Sequence, residues 1–245
     1  MNATRNRDEL LILGHRGAPK AAVENTLAAF RAALAEGADG TELDVRLARC
    51  GTLVVGHDHE LSRFTGRATR VRTSSAWALG LEDLGGGEGL PTLDAVLAVM
   101  RGKVVNVEVK ADDGDPVALA RAVAASARKW RGNHRRFIVS SFEPKVLVAL
   151  RELAPEVDRG LLIDPDPNEK RRALSMLSRV APKAIHPHWT EGEHAVRRWR
   201  QTGYEVHVWT VNEPEIARAL ADAGANSVIT NHPGALRAAL ARDAP

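Results

Sequence analysis

Glu42 and Asp44 stand two apart in an otherwise apolar run, GTELDVRL at residues 40 to 47. Side chains two apart on a strand point the same way, so these carboxylates converge on one small space. A third acid, Glu108, lies in VVNVEVK at residues 104 to 110, sharing a strand face with Asn106 and Lys110. Burying one unpaired ion costs several kcal/mol, and like charges add to that cost. Two arrangements relieve it. One divalent cation could be shared by Glu42, Asp44 and Glu108, and all-oxygen ligation favours Mg²⁺ or Ca²⁺ over zinc. Alternatively the acids pair with Arg16, Arg46 and Lys110 in a salt-bridge network. Arg16 and Lys110 beside a cation make a site for an anionic, oxygen-rich group, of which phosphate is the natural candidate. His15 and His57 have the side-chain type that titrates nearest neutrality, which suits one as general base and the other as general acid. His59 competes with His57 for that role.

Most of these residues fall at the ends of predicted strands, and the insertion after the second strand contributes His57. Eight short apolar runs, at 10–17, 41–48, 103–110, 136–141, 159–164, 183–188, 204–211 and 226–231, alternate with helical patterns at 24–37, 93–100, 116–130, 144–153, 168–179, 191–202, 213–223 and 234–242. In a chain near 250 residues this rhythm predicts an α/β fold, a (β/α)8 TIM barrel with a small insertion after the second strand. An open doubly wound sheet is the other arrangement compatible with it. The insertion, residues 51–91, reads as a loop or hairpin over the catalytic face. In a barrel, polar residues at the C-terminal strand ends mark the site, and His15-Arg16, Glu42, Asp44, Glu108, Lys110 and Trp209 all end strands.

The 245 residues fit one domain spanning 1–245, insertion included. With 44% hydrophobic and 27% charged residues and a net charge of +3, disordered and membrane-spanning classes are excluded. The arginines are scattered along helices, so no nucleic-acid partner is expected. Cys50 is the single cysteine, and an oxidising compartment is not required. MNATRNRDELLILGHRG carries too short an apolar run for a signal peptide or a span, which points to the cytoplasm without stable membrane insertion.

Several tempting features are read as structural. His186 and His188 flank Pro187, with no acid in the pattern beside them, so substrate contact or packing is expected rather than a metal. Ser141, before Glu143-Pro144, reads as a helix start, since no G-x-S-x-G elbow surrounds it. Trp130 and Trp199 fall on helices as packing residues. The triple glycine at 85–87 lacks the strand and helix of a phosphate loop.

Nine motifs then occur in order from about residue 10 to residue 240. They are His15-Arg16-Gly17, Glu24-Asn25-Thr26, the run from Gly37 to Val45, His57-Asp58 followed by Leu61, Arg63 and Thr65, Pro91-Thr92-Leu93, Asn106-x-Glu108-x-Lys110, Ser141-Phe142, Trp209-Thr210-Val211-Asn212, and Ile229-Thr230-Asn231-x-Pro233. Together they resemble the glycerophosphodiester phosphodiesterase family. The resemblance implies a metal-dependent hydrolase that cuts small-molecule glycerophosphodiesters into glycerol 3-phosphate and an alcohol. It implies Glu42, Asp44 and Glu108 as metal ligands, His15 and His57 as the acid/base pair, Arg16 and Lys110 as phosphate contacts, and Phe142 and Trp209 as apolar contacts near the glycerol. Attack by the substrate's own glycerol hydroxyl, through a cyclic phosphate, is implied as well; which histidine is the base in the first step stays open. Phospholipase activity on intact lipid would need an exposed apolar rim, which Phe64, Trp77 and Leu79 of the insertion are not expected to form. A non-catalytic phosphodiester-binding protein would need a lost catalytic residue, and none is lost. Two positions depart from the family pattern: Val23 replaces the usual proline, and Asn231 a common aspartate. Neither is expected to touch a ligand or an acid/base residue.

Overall fold

The computed structural model describes residues 10–241; the first nine residues of the N-terminal segment read above lie outside them. Its strands are β1 (Leu11–His15), β2 (Gly40–Leu47), β3 (Leu53–Val55), β4 (Val104–Val109), β5 (Arg136–Ser141), β6 (Asp158–Ile163), β7 (Ala184–Pro187), β8 (Glu205–Val208) and β9 (Ser227–Thr230). All but β3 pair in parallel, and β9 returns to pair with β1, so among the described residues eight strands close a (β/α)8 barrel. The open-sheet alternative is thereby excluded. The parallel strands are covered on both faces, so β2 and β4 read as nearly continuous buried runs.

The helices are α1 (Leu27–Ala35), α2 (Ser62–Thr65), α3 (Ala76–Gly80), α4 (Leu93–Val99), α5 (Pro116–Lys129), α6 (Pro144–Leu153), α7 (Pro167–Ser175), α8 (Leu177–Val180), α9 (Gly192–Gln201), α10 (Pro214–Asp222) and α11 (Pro233–Ala241). Proline opens α5, α6, α7 and α10, where its missing N–H is no loss. The pattern at 168–179 predicts one helix, but Met176, at φ −99° and ψ 0°, leaves helical geometry and divides it into α7 and α8. The main core packs the outer strand faces, through Leu43, Val45, Val105, Val107 and Val139, against Phe30, Leu97, Leu119 and Leu147 of the helices.

The insertion begins as a hairpin, with β3 antiparallel to β2, and continues through α2, a 3-10 turn at Val71–Thr73 and α3. Its own small cluster of Leu61, Val71, Leu79, Leu84 and Leu90 packs on Ala48 and Val54. Inside the barrel, Leu13, Val104, Ile138 and Ile229 form an apolar plug. By strand alternation the buried polar residues Asn106, Ser140, His186, His207 and Ser227 share that lumen. Gly160 makes room there: a Cβ on it would stand 2.3 Å from Nε2 of His186.

Candidate active site

The chain leaves β1 through two consecutive left-handed residues, Arg16 at φ 57° and Gly17 at φ 88°. Gly17 has a packing reason as well, since a Cβ there would lie 2.6 Å from the carbonyl carbon of Ala29 in α1. This turn lifts Arg16 over the barrel mouth, with its N–H donating to the Glu42 carbonyl at 3.0 Å. Thr26 caps α1 by accepting from the Ala29 N–H. The same segment brings in Asn25, at φ 60°, whose amide donates to Asp44 Oδ2 at 2.9 Å.

Register does the rest. His15 stands beside Glu42 in the β1–β2 ladder, and Asp44 beside Glu108 in the β2–β4 ladder. One carboxylate oxygen each of Glu42, Asp44 and Glu108 lies within 4.8 Å of the others, and all three residues are buried. At that spacing each like-charged pair repels by about 3 kcal/mol for an effective dielectric near 20. Lys110 Nζ stands 3.0 Å from Asp44 Oδ1 and also pairs with Glu108, while Arg16 Nε stands 3.0 Å from Asp44 Oδ2. The salt-bridge network is thus partly realised, but not through Arg46, which donates from Nε to the His57 carbonyl at 2.8 Å and pairs with Asp112 and Asp113.

Three carboxylates face two cations, and the imbalance falls on Glu42. Burial, then Asp44 and Glu108, push its carboxyl well above the usual range. Burial also pushes Asp44 up, but Lys110 and Arg16 outweigh it and hold that carboxyl far below. Glu42 Oε1 accepts no hydrogen bond, Asp44 Oδ1 has the Lys110 ammonium at 3.0 Å, and neither polar atom of the neighbouring Asn106 side chain has a partner. A buried carboxylate oxygen without a donor, in an all-carboxylate set with excess negative charge, fits a hard divalent cation.

The two histidines flank this cluster. Nδ1 of His15 lies 2.7 Å from the Asn231 side-chain oxygen, and Nε2 stands 3.9 Å from Glu42 Oε2. Asn231 therefore touches a predicted acid/base residue, which corrects the sequence expectation. Burial and the adjacent Arg16 lower His15 to about 4. Nδ1 of His57 lies 2.8 Å from Asp58 Oδ1. Burial lowers His57 as well, opposed by the charge of Asp44. With an acceptor on each Nδ1, the hydrogen-bond network assigns the proton there and leaves both Nε2 atoms free to exchange one. His59 is exposed, with Nδ1 4.0 Å from Asp112.

Phe142 and Trp209 meet edge to face at 5.3 Å, and Lys110 Nζ lies 5.9 Å from the Phe142 ring. Trp209 lies just past the end of β8, in a bridge with His188, and its indole donates to the His186 carbonyl at 2.9 Å. His186 itself is fully buried against His207, with both ring nitrogens unpartnered, so it packs inside the barrel; His188 packs on Trp209 at the rim. Ser141 donates to the Val109 carbonyl and accepts from the Glu143 N–H, and Glu143 is the residue that caps α6. Of the three apolar side chains named in the insertion, Leu79 is buried and Phe64 half-buried. Trp77 is 76% exposed and is joined by Leu81 at 67%.

Residues 15–235 match the model of the glycerophosphoryl diester phosphodiesterase family. The chain is 31% identical over 240 residues to a glycerophosphodiester phosphodiesterase of Caldanaerobacter subterraneus subsp. tengcongensis, covering 92% of this chain and 96% of that protein. Among solved structures, it is similar to an Oleispira antarctica phosphodiesterase in complex with the product sn-glycerol-3-phosphate. That match has a TM-score of 0.83 and 27% identity, and covers 94% of this chain and 96% of the other. A glycerophosphodiester phosphodiesterase from Thermotoga maritima matches with a TM-score of 0.77 and 33% identity, over 94% and 97% of the two chains.

Proposed function

This chain belongs to the glycerophosphoryl diester phosphodiesterase family and hydrolyses glycerophosphodiesters, and from that premise we propose a metal-assisted, two-histidine mechanism carried out by one domain, the insertion included. The observation that carries it is the buried cluster of Glu42, Asp44 and Glu108, in which Glu42 Oε1 accepts no hydrogen bond, lying between two cations and two imidazoles. Those three carboxylates would hold one divalent cation, Mg²⁺ or Ca²⁺. Such an ion supplies Lewis-acid charge that neutralises phosphoryl oxygens as they gain charge.

Arg16 and Lys110 bind the remaining phosphate oxygens, and the edge-to-face pair of Phe142 and Trp209 packs against the glycerol carbons. His15, resting on a neutral amide and kept uncharged by burial and Arg16, takes the proton of the attacking glycerol hydroxyl at Nε2. His57 is backed by the carboxylate of Asp58, which favours its imidazolium form over that of His15. It therefore gives a proton from Nε2 to the departing alcohol. Opening of the cyclic phosphate by water reverses the two roles. The products are glycerol 3-phosphate and a free alcohol. No described helix is long and apolar enough to cross a membrane; the substrate is a small molecule rather than a nucleic acid, and a cytoplasmic setting suits the lone Cys50.

The test is a panel of glycerophosphodiesters with different head groups, given to protein stripped of metal and reloaded with Mg²⁺, Ca²⁺ or Mn²⁺, reading glycerol 3-phosphate. Activity lost on stripping and restored by reloading is expected. Equal activity in stripped and reloaded protein would remove the metal from the mechanism. The exposed Trp77 and Leu81 favour one second reading, action on intact phospholipid at a bilayer surface. Co-sedimentation with phospholipid vesicles, together with release of head group from them, would replace the first reading with this one.

A further inference from the structure

The two histidines come from different parts of the chain, and a line of charged side chains joins their surroundings. Asp58, whose Oδ1 receives Nδ1 of His57, accepts from Arg63 Nε at Oδ2, 2.7 Å away. The other arm of the same guanidinium, Nη2, donates to Glu24 Oε1 at 2.7 Å. That oxygen also accepts from Arg16 Nη1 at 2.9 Å, and Arg16 Nε stands 3.0 Å from Asp44. Asp58 and Arg63 belong to the insertion, whereas Glu24 and Arg16 belong to the loop between β1 and α1.

We infer that Arg63 is a positioning residue: by bridging Asp58 and Glu24 with the two arms of one planar fork, it fixes the His57 ring and the Arg16 guanidinium in a single spacing. A solvent-exposed ion pair does little by itself, and Arg63 is half exposed. Here the geometry differs from such a pair. One rigid group reaches two carboxylates at once, and each carboxylate spends its remaining bonding capacity on a different part of the site. Arg63 also packs 4.2 Å over the Phe64 ring, which limits its rotamers. The helix that carries it, α2, has only four residues and makes no side-chain cap. Arg63 therefore ties this part of the insertion to the barrel rim. An imidazole displaced by about 1 Å loses on the order of a hundredfold in rate, so the link acts on catalysis without touching substrate.

The kinetic arm of the test rests on the hydrolytic reading; the spectroscopic arm does not. Arg63→Gln, Arg63→Lys, Asp58→Asn and the double variant Arg63→Gln/Asp58→Asn are compared with the parent chain, all metal-loaded. Expected is a fall in kcat of about 10- to 100-fold for Arg63→Gln with a smaller change in KM. Arg63→Lys does not restore the parent rate, because an ammonium lacks the fork. The double variant is about as slow as Asp58→Asn alone, since the two side chains act in series. Side-chain ¹⁵N–¹H NMR signals of His57, assigned with a His57→Asn variant, shift or broaden in Arg63→Gln and in Arg63→Lys. Parent-level kcat in Arg63→Lys, multiplicative losses in the double variant, or unmoved His57 signals would each overturn the inference. If the parent turns over no diester, the hydrolytic reading fails, while the His57 signals still decide the positioning role.

Discussion

Glu42 and Asp44 enter the same space two residues apart on β2, yet they sit in opposite electrostatic states. Asp44 is held by Lys110, Arg16 and the Asn25 amide, at 3.0, 3.0 and 2.9 Å. The nearest side-chain cation that Glu42 could have is His15, 3.9 Å away, and it is neutral above about pH 4. One carboxylate is satisfied by the protein's own donors, and the other is not.

Glu42→Gln should therefore stabilise the metal-free protein by about 1–3 kcal/mol at pH 7. The sign follows from linkage. A carboxyl raised above its unfolded value binds more protons in the folded state, so its ionisation at neutral pH opposes folding. Asp44→Asn should do the reverse, because its lowered carboxyl favours folding above the unfolded value. Both variants should lose most of the stabilisation that Mg²⁺ gives the parent, about 2.7 kcal/mol at 100 Kd. Thermal unfolding with and without Mg²⁺ reads all of this, and a metal-free midpoint lowered by Glu42→Gln would refute it.

Asn231→Asp should raise the pKa of His15. An ionised carboxylate at 2.7 Å favours the imidazolium where the amide does not. If neutral His15 is the base, the acidic limb of kcat/KM moves from near pH 4 in the parent to higher pH in the variant. A pH–rate profile checks this, and an acidic limb that stays in place would separate His15 from the base role.

Inside the barrel, burial holds His186 well below its ordinary value, and neither ring nitrogen has a partner. The unfolded chain takes up this proton near pH 6.5 while the folded one resists, so stability from this group is present above that pH and lost below it. His186→Leu should remove the liability. The variant should be near-neutral at pH 7, where an orphaned polar group is exchanged for an apolar one, and should lose less stability than the parent between pH 6.5 and 5. Urea midpoints across that range decide it.

Truncating the aromatic pair should act on binding. Phe142→Ala or Trp209→Ala should raise KM by about tenfold, with kcat changed less, since packing on glycerol carbons persists from ground state to transition state. Steady-state kinetics with one diester would test this, and with it the proposed contact of the two rings with the glycerol. A fall in kcat with unchanged KM would assign the rings to the chemistry instead.

The barrel is legible because parallel strands buried on both faces leave bare apolar runs, and alternation within β2 puts Glu42 and Asp44 on one side, to which the barrel's register adds Glu108 from β4. Other features were not encoded locally. The break at Met176 lies inside a smooth helical pattern. The insertion's helices are too short to show a period. His15 and Asn231 are 216 residues apart, so nothing near Asn231 in the sequence marks it as a histidine's partner. Arg63, Glu24 and Asp58 were visible as motif residues, but their connection spans 39 residues and exists only in the folded ring of contacts.

The same long span sets an order of assembly during synthesis. The three clustered carboxylates and Lys110 are all made by residue 110, whereas β9, which closes the barrel on β1, and Asn231, which meets Nδ1 of His15, are made well after them. The residues of the acidic cluster are thus synthesised well before the partner that meets the first histidine. A substitution that loosens β9 from β1 should therefore cost turnover more than it costs Mg²⁺ binding.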